Sequence, residues 1–331
     1  MSNTEKILVV DPIHPDAITL LEDSGYEVTV APTYTTQQIQ EIISEYVAII
    51  GRTSTHIGEE ILTQGTQLKC IGVHATGWNH IDIETATKNN IAVLGYPSDP
   101  NSLKDQRTEG AFVPTAEHVL LGMLAVAGNF YTATTSMKDG RWEKYNLMGT
   151  ELYGKTIGII GLGRIGSLVA DRARAFGMNV IASHPNISDE EALKRGAKLV
   201  SLETLYSESD YITIHVPQKP STINLIDATS FSKMKKGAVL INTSRAPIVN
   251  EEALIEALDT NILSAAVLDV FNGAPTVNWS LVQRENVLAT PHIAGVSSES
   301  LERVSLYTAR NVIEYLTSGN SIGLINSISK Q

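Results

Sequence analysis

The feature that most constrains this chain is residues 154–185, GKTIGIIGLGRIGSLVADRARAFGMNVIASHP. Residues 156–160 form a short apolar run, long enough for a buried strand and too short for a helix. Gly161, Gly163 and Gly166 then supply G-x-G-x-x-G, with Arg164 and Ile165 inside the motif. Residues 167–176 read as a helix with Leu168, Val169, Ala173 and Phe176 on one face, Gly177 as its C-cap and 179–182 as the next strand. The stretch is therefore one βαβ unit. The first glycine allows the tight turn, the second lets backbone approach a pyrophosphate, and the third lets helix pack on strand. Free N–H groups and the dipole at the helix start favour a phosphate. The motif alone is weak; the strand–turn–helix setting makes a dinucleotide site the expectation, ahead of a glycine-rich turn in an ordinary α/β protein.

A chain of 331 residues exceeds one typical core, so two domains are expected. With 43% apolar and 18% charged residues, they should be packed rather than disordered. The net charge of −11 argues against nucleic acid or an anionic membrane as a partner, and an anionic ligand would need a local cluster of donors. The single cysteine, Cys70 in LKCIGV, reads as a small buried hydrophobe. The N-terminus enters a strand without a basic, long-apolar leader, and no stretch approaches the ~18 apolar residues of a membrane span. A cytoplasmic location with no membrane partner and no metal is the expectation.

Strand signals at 6–9, 26–30, 47–50, 69–73 and 92–94 alternate with helix signals at 15–23, 36–45, 58–64 and 83–89. Such alternation implies right-handed crossovers and a parallel sheet. The rhythm stops between Leu94 and Thr115, where residues 98–112 read as a long loop of unassigned role. A helix opening at Pro114 is apolar nearly all round, as for an element buried between domains or subunits. After Pro185 the rhythm resumes, with strands at 198–200, 211–215, 238–242, 264–268 and 287–289, and a last helix at 298–317 leaves this second half. The fold class is α/β, with two doubly wound parallel-sheet domains.

Ligands of open α/β sheets bind beyond the carboxyl ends of the strands. Here those ends read His215-Val216-Pro217, Thr243-Ser244-Arg245, Asp269-Val270-Phe271 and Pro291-His292. One such residue is ordinarily a cap or a turn. Four in succession, bearing a cation, a carboxylate and an imidazole, point to a functional cluster.

Together these motifs resemble the D-2-hydroxyacid dehydrogenase family, the D-isomer-specific NAD-dependent, phosphoglycerate dehydrogenase-like enzymes. The most specific parts are GKTIGIIGLGRIG, HVP, INTSRAPIVNEEAL, LDVF and ENVLATPHIAG, with HATGWNHID and TAEH in support. The resemblance implies a flavodoxin-like substrate domain of residues 1–103 and 297–331, with a Rossmann NAD(P)-binding domain, 104–296, inserted in it. It implies hydride transfer between a nicotinamide and C2 of a small anionic 2-hydroxy or 2-keto acid, in a homodimer contacting through the helix near Pro114. By position, Arg245 would anchor the substrate and His292 would be the acid/base. Backbone N–H groups of Ala75, Thr76 and Gly77 would hold the carboxylate, with Trp78 shaping the pocket. Gly161, Gly163, Arg164, Ile165, Gly166, His184, His215, Val216, Pro217, Thr243 and Asp269 would line the cofactor, Asp269 taking the nicotinamide amide.

Two departures from the family pattern matter. Its members place a glutamate five residues after the aspartate of D-V-F, where it orients the catalytic histidine and favours the imidazolium; this chain has Ala274. The alternative function is therefore a weak or inactive NAD(P)-binding sensor or interaction protein on the same fold. At the end of the second strand of the βαβ unit, an acid would hold the ribose 2′-OH and select NAD, but His184 stands there. Ser183, His184 and Asn186 are able to bond a 2′-phosphate, and no arginine marks a dedicated phosphate site. The choice between NAD and NADP stays open.

Overall fold

The computed structural model describes residues 4–96 and 110–328. The chain divides into two compact units, one of Met1–Ala111 with Val296–Gln331 and the other of Phe112–Gly295. Most of the loop expected at 98–112 lies outside the described residues.

In the first unit, strands β1 (Lys6–Val9), β2 (Glu27–Val30), β3 (Ala48–Gly51), β4 (Cys70–Val73) and β5 (Ala92–Leu94) are joined by α1 (Pro15–Asp23), α2 (Thr36–Ile42), α3 (Glu59–Leu62) and α4 (Ile83–Lys88). The sheet order is β2-β1-β3-β4-β5, and every pairing is parallel. This is the flavodoxin-like order. Strands β3 and β4 are buried at every residue because helices cover both faces of such a sheet. The helix expected over 36–45 ends at Ile42 and tightens into a 3₁₀ turn, Ile43–Glu45. Thr35 and Gln38 close its start with a reciprocal capping box. Cys70 is fully buried, and desolvation pushes its thiol pKa upward.

The second unit opens with α5 (Phe112–Ala127) and α6 (Phe130–Lys138). It continues through β6 (Thr156–Ile160), α7 (Arg164–Ala175), β7 (Asn179–Ser183), α8 (Asp189–Lys194), β8 (Lys198–Leu199), α9 (Leu202–Glu208) and β9 (Tyr211–Ile214). Then come α10 (Ala228–Ser232), β10 (Ala238–Asn242), α11 (Glu251–Asp259), β11 (Leu263–Leu268), α12 (Trp279–Val282) and β12 (Val287–Ala289). The parallel sheet runs β12-β11-β10-β9-β6-β7-β8. Counted within the unit, that is the 3-2-1-4-5-6 Rossmann order with one further strand. Helix α7 begins at Arg164, three residues before the expected start, because Gly163 has extended backbone and serves as N-cap. Helix α5 lies close on β11: a Cβ on Gly122 would fall 2.5 Å from Val267 Cγ1.

Helix α13 (Ser298–Ser318) belongs to the first unit. A Ser297–Ser300 capping box starts it, and Gly319 in left-handed conformation ends it. It packs so tightly on β4 that a Cβ on Gly72 would lie 2.9 Å from both Thr308 Cγ2 and Val312 Cγ2. Among the described residues no helix is long and apolar enough to cross a membrane.

Candidate functional site

The sheet order of the second unit sets its strand ends in a row: the 290–292 turn after β12, Asp269 after β11, Thr243–Arg245 after β10, His215–Pro217 after β9, the glycine loop after β6 and His184 after β7. Residues scattered over some 130 positions of sequence thus share one edge, and the switch point falls between β9 and β6.

The glycine loop fits a phosphate in detail. Gly161 takes a φ of +95°, and a Cβ there would meet His215 O at 2.6 Å. A Cβ on Gly166 would meet Gly161 O at 2.2 Å, so helix and strand could not close. Gly163 differs: its Cβ would meet nothing within 4 Å, which leaves open space over the loop. The N–H groups of Leu162 and Gly163 have no hydrogen-bond partner among the described residues. Beside the neighbouring strands, the buried Thr243 Oγ1 likewise lacks one, as a donor awaiting a ligand would. The loop and its orphaned hydroxyl therefore suit a dinucleotide.

His215 is half-buried, with Nε2 2.9 Å from Thr213 Oγ1, and desolvation pushes its pKa down to about 3. It is a neutral hydrogen-bonding wall at ordinary pH. Ser244 Oγ donates to Val216 O at 2.6 Å and ties this wall to the segment bearing Arg245. Asn242 shapes that segment from both sides: its Oδ1 accepts from Ser244 N at 3.0 Å and its Nδ2 donates to Arg245 O at 3.0 Å. Arg245 Nη1 donates to Ser244 O at 2.8 Å, and burial lowers the guanidinium pKa from its usual value without discharging it. Asn242 is a residue the sequence does not single out, and Ser244 enters only as part of its strand end; their position before an expected site residue is the only signal.

Asp269 is 0% exposed. One carboxylate oxygen accepts from Thr290 Oγ1 at 2.6 Å and from Ile293 N at 2.8 Å; the other accepts from Ala294 N at 2.8 Å. His118 on α5 adds a further brace, its Nε2 lying 3.1 Å from Thr290 Oγ1. Because that hydroxyl proton already serves Asp269, Thr290 can only accept from His118. The clamped turn carries His292, exposed and in left-handed backbone, φ +57°. Such a conformation is uncommon for a non-glycine residue and persists only where its surroundings impose it. Ala274, at the position expected from the family for the orienting glutamate, is exposed.

The second strand end of the βαβ unit contains a group that sequence reasoning missed. Arg195, the C-cap residue of α8, donates from Nη1 to Leu162 O in the glycine loop at 2.8 Å and from Nε to Glu191 Oε1 at 2.7 Å. Helix α8 itself was not expected. Its signal was present in Ser188-Asp-Glu-Glu191, a cap with three acids in the first turn.

Ala75, Thr76, Gly77 and Trp78 belong to the first unit, after β4. The N–H groups of Ala75, Thr76 and Gly77 make no hydrogen bond among the described residues, while Trp78 packs against the core cluster of β1, β3 and β4. His74, 1% exposed, fixes the start of this segment. Ser305 Oγ donates to Leu301 O at 2.6 Å and accepts from His14 N at 2.9 Å, so at 2.9 Å it accepts from His74 Nε2. The Nδ1 of His74 is buried without a partner among the described residues, and desolvation with the nearby Arg52 pushes the pKa down to about 4.

A family model described as "D-isomer specific 2-hydroxyacid dehydrogenase, NAD binding domain" matches residues 120–294. A D-3-phosphoglycerate dehydrogenase of Synechocystis is 39% identical over 311 residues, covering 94% of this chain and 54% of that protein. The chain thus spans little more than half the length of the curated relatives it matches. A glyoxylate reductase from Paecilomyes thermophila superposes with a TM-score of 0.86 at 26% identity, covering 98% of this chain and 99% of that one. An NAD-dependent formate dehydrogenase from Staphylococcus aureus, solved with NAD, gives a TM-score of 0.82 at 27% identity, covering 98% and 100%.

Proposed function

Because the chain belongs to the D-isomer specific 2-hydroxyacid dehydrogenase family, we propose that it is a nicotinamide-dependent oxidoreductase acting on small 2-hydroxy or 2-keto acids. The observation that carries this reading is the clamped turn, in which the buried Asp269 holds His292 in a left-handed conformation on the strand-end edge that also carries Arg245. A structure that only binds a cofactor has no need to hold an exposed imidazole in this way.

In this reading the glycine loop takes the pyrophosphate on its unpaired amides, and Thr243 Oγ1 bonds the nicotinamide end. The bound nicotinamide supplies the hydride. Arg245 offers its planar fork to the substrate's carboxylate and carbonyl oxygen, in a site dry enough to strengthen that contact. His292 gives a proton to the carbonyl oxygen during reduction and takes it from the hydroxyl during oxidation. The Ala75–Thr76–Gly77 amides are suited to a carboxylate, and Trp78 supports them from beneath by packing on the core. Asp269, expected to hold the nicotinamide amide, is assigned here to positioning His292, since it is fully buried and already accepts three hydrogen bonds from the turn.

A homodimer is part of the proposal. The stretch 121–148 exposes Leu121 (60%), Leu124, Phe130, Tyr131, Met137, Trp142 (81%), Tyr145 and Met148, an apolar surface of the kind that a second copy covers.

The test is incubation with NADH and NADPH against a panel of 2-keto acids, followed at the nicotinamide absorbance. Turnover of at least one acid, abolished in His292→Asn, is the expected result. Tight cofactor binding with no turnover would instead favour the non-catalytic sensor, the reading to which Ala274 lends support.

A further inference from the structure

The end of β7 is where a Rossmann unit chooses between a ribose hydroxyl and a ribose phosphate. Four observations meet there. His184 replaces the expected acid, so no carboxylate at that position repels a second phosphate. Its Nδ1 accepts from Asn186 N at 3.2 Å, which leaves the proton of the neutral ring on Nε2 as a donor. Arg195 is drawn to the same place, its side chain only 16% exposed, with Nη1 fixed to Leu162 O. Its closeness to His184 is felt electrostatically: after desolvation, the guanidinium is the cause that lowers the His184 pKa.

Glu191 occupies Nε alone and fixes the plane of the guanidinium. The Nη2 group has no hydrogen-bond partner among the described residues. A guanidinium held at two of its nitrogens with Nη2 to spare, close enough to be felt by an imidazole that offers an N–H, suits a phosphate better than a hydroxyl. Of the three acids in the first turn of α8, Asp189 and Glu190 are exposed, so solvent screens them, and Glu191, half-buried, has its charge paired with the Arg195 guanidinium.

We propose that Arg195 and His184 form a seat for the 2′-phosphate of NADP(H), making the chain selective for the phosphorylated cofactor. The proposal rests on the reading of the glycine loop as a dinucleotide site. It assigns Arg195 two tasks: propping the loop through Leu162 and reading the ribose.

Calorimetric titration of the full chain with 5′-AMP, 2′,5′-ADP, NADH and NADPH tests it without turnover. The expected result is at least tenfold tighter binding of 2′,5′-ADP than of 5′-AMP, and of NADPH than of NADH. Arg195→Gln should remove most of that difference, cutting the NADPH-to-NADH and 2′,5′-ADP-to-5′-AMP affinity ratios to about twofold, whatever uniform loss follows from removing the prop on Leu162. Arg195→Lys should retain part of it. Equal binding of the two mononucleotides by the unmodified chain would overturn the proposal and leave the dinucleotide site standing. So would an Arg195→Gln variant that weakens all four ligands alike, since the arginine would then act only as a prop. Failure of all four ligands to bind would remove the dinucleotide reading itself, and this proposal with it.

Discussion

The Asp269 carboxylate and the Thr290 hydroxyl, 2.6 Å apart and 21 residues apart in sequence, lock two neighbouring strand ends together. The same carboxylate collects the amides of Ile293 and Ala294, so the backbone just after His292 is held by the buried anion that also takes the Thr290 hydroxyl before it. The main chain that carries the imidazole is thereby fixed, in a protein whose sequence lacks the family's orienting glutamate.

Asp269→Asn should separate positioning from cofactor binding. An amide keeps the shape but turns one acceptor into a donor facing N–H or O–H groups. A stability loss of about 2 kcal/mol is expected from the broken charge-assisted bonds. A fall in kcat of about a hundredfold should accompany it, as for a misplaced catalytic group. NADH and NADPH dissociation constants should barely move; a large rise in them would restore the expected contact between Asp269 and the nicotinamide amide.

Ala274→Glu returns a carboxylate to the position at which the family carries one. A nearby anion favours the imidazolium, so the alkaline fall in the reduction rate should move up by about one pH unit. A pH–rate profile with unchanged limbs would mean that His292 is already fully supported by other groups.

Gly166 and Gly163 of the loop should fail in different ways. Gly166→Ala places a methyl 2.2 Å from Gly161 O and should cost folding, read as a lower Tm. Gly163→Ala meets nothing within 4 Å, so the Tm should hold. Its methyl would occupy the approach to the loop, and cofactor affinity should fall about tenfold or more by titration.

His74 makes stability depend on pH. Its folded pKa, about 4, lies below the ordinary 6.5, so between these values the unfolded chain binds more protons. Its contribution is therefore complete above about pH 6.5 and is lost as the pH falls toward 4, with a slope of at most about 1.4 kcal/mol per pH unit. His215, pushed down to about 3, acts with the same sign over a window reaching lower. Urea midpoints at pH 7.5 and 5 measure the drop. His74→Gln, which keeps a donor for Ser305 and cannot titrate, should reduce it and leave the part due to His215.

Replacing Leu121 and Leu124 together by glutamate should convert the expected dimer into a monomer, read by light scattering during gel filtration. An unmodified chain that already elutes as a monomer would refute the dimer.

What was legible in sequence was what is local. The bounds expected for the strands at 92–94, 156–160, 238–242 and 287–289 match the structure, because a largely buried parallel strand is a nearly continuous apolar run. The strand ends bearing Arg245, Asp269 and His292 could be named from the order of the motifs. The partners of those residues were not legible. Asp269 reaches Ala294 across 25 positions, and Arg195 reaches Leu162 across 33, distances at which no spacing rule operates. Helix α8 was passed over because its six residues show a charged cap and almost no apolar stripe. The left-handed backbone at His292 had only a faint signal, since glycine and asparagine mark that conformation far more strongly than histidine does.

The tight seat of α13 on Gly72 has a bearing on how the chain is made. The core around Ile7, Ile50 and Cys70 is completed by Ala309 and Val312, and β5 bonds Ile325 and Asn326. These residues leave the ribosome more than two hundred positions after the strands they cover. At ordinary elongation rates that is a delay on the order of ten seconds or longer. Throughout it one face of the first sheet waits without its cover, while the second unit, continuous from Phe112 to Gly295, has every element of its own sheet to hand. The order of synthesis therefore favours the second unit as the first to close, and makes the nascent N-terminal sheet the segment most in need of a chaperone.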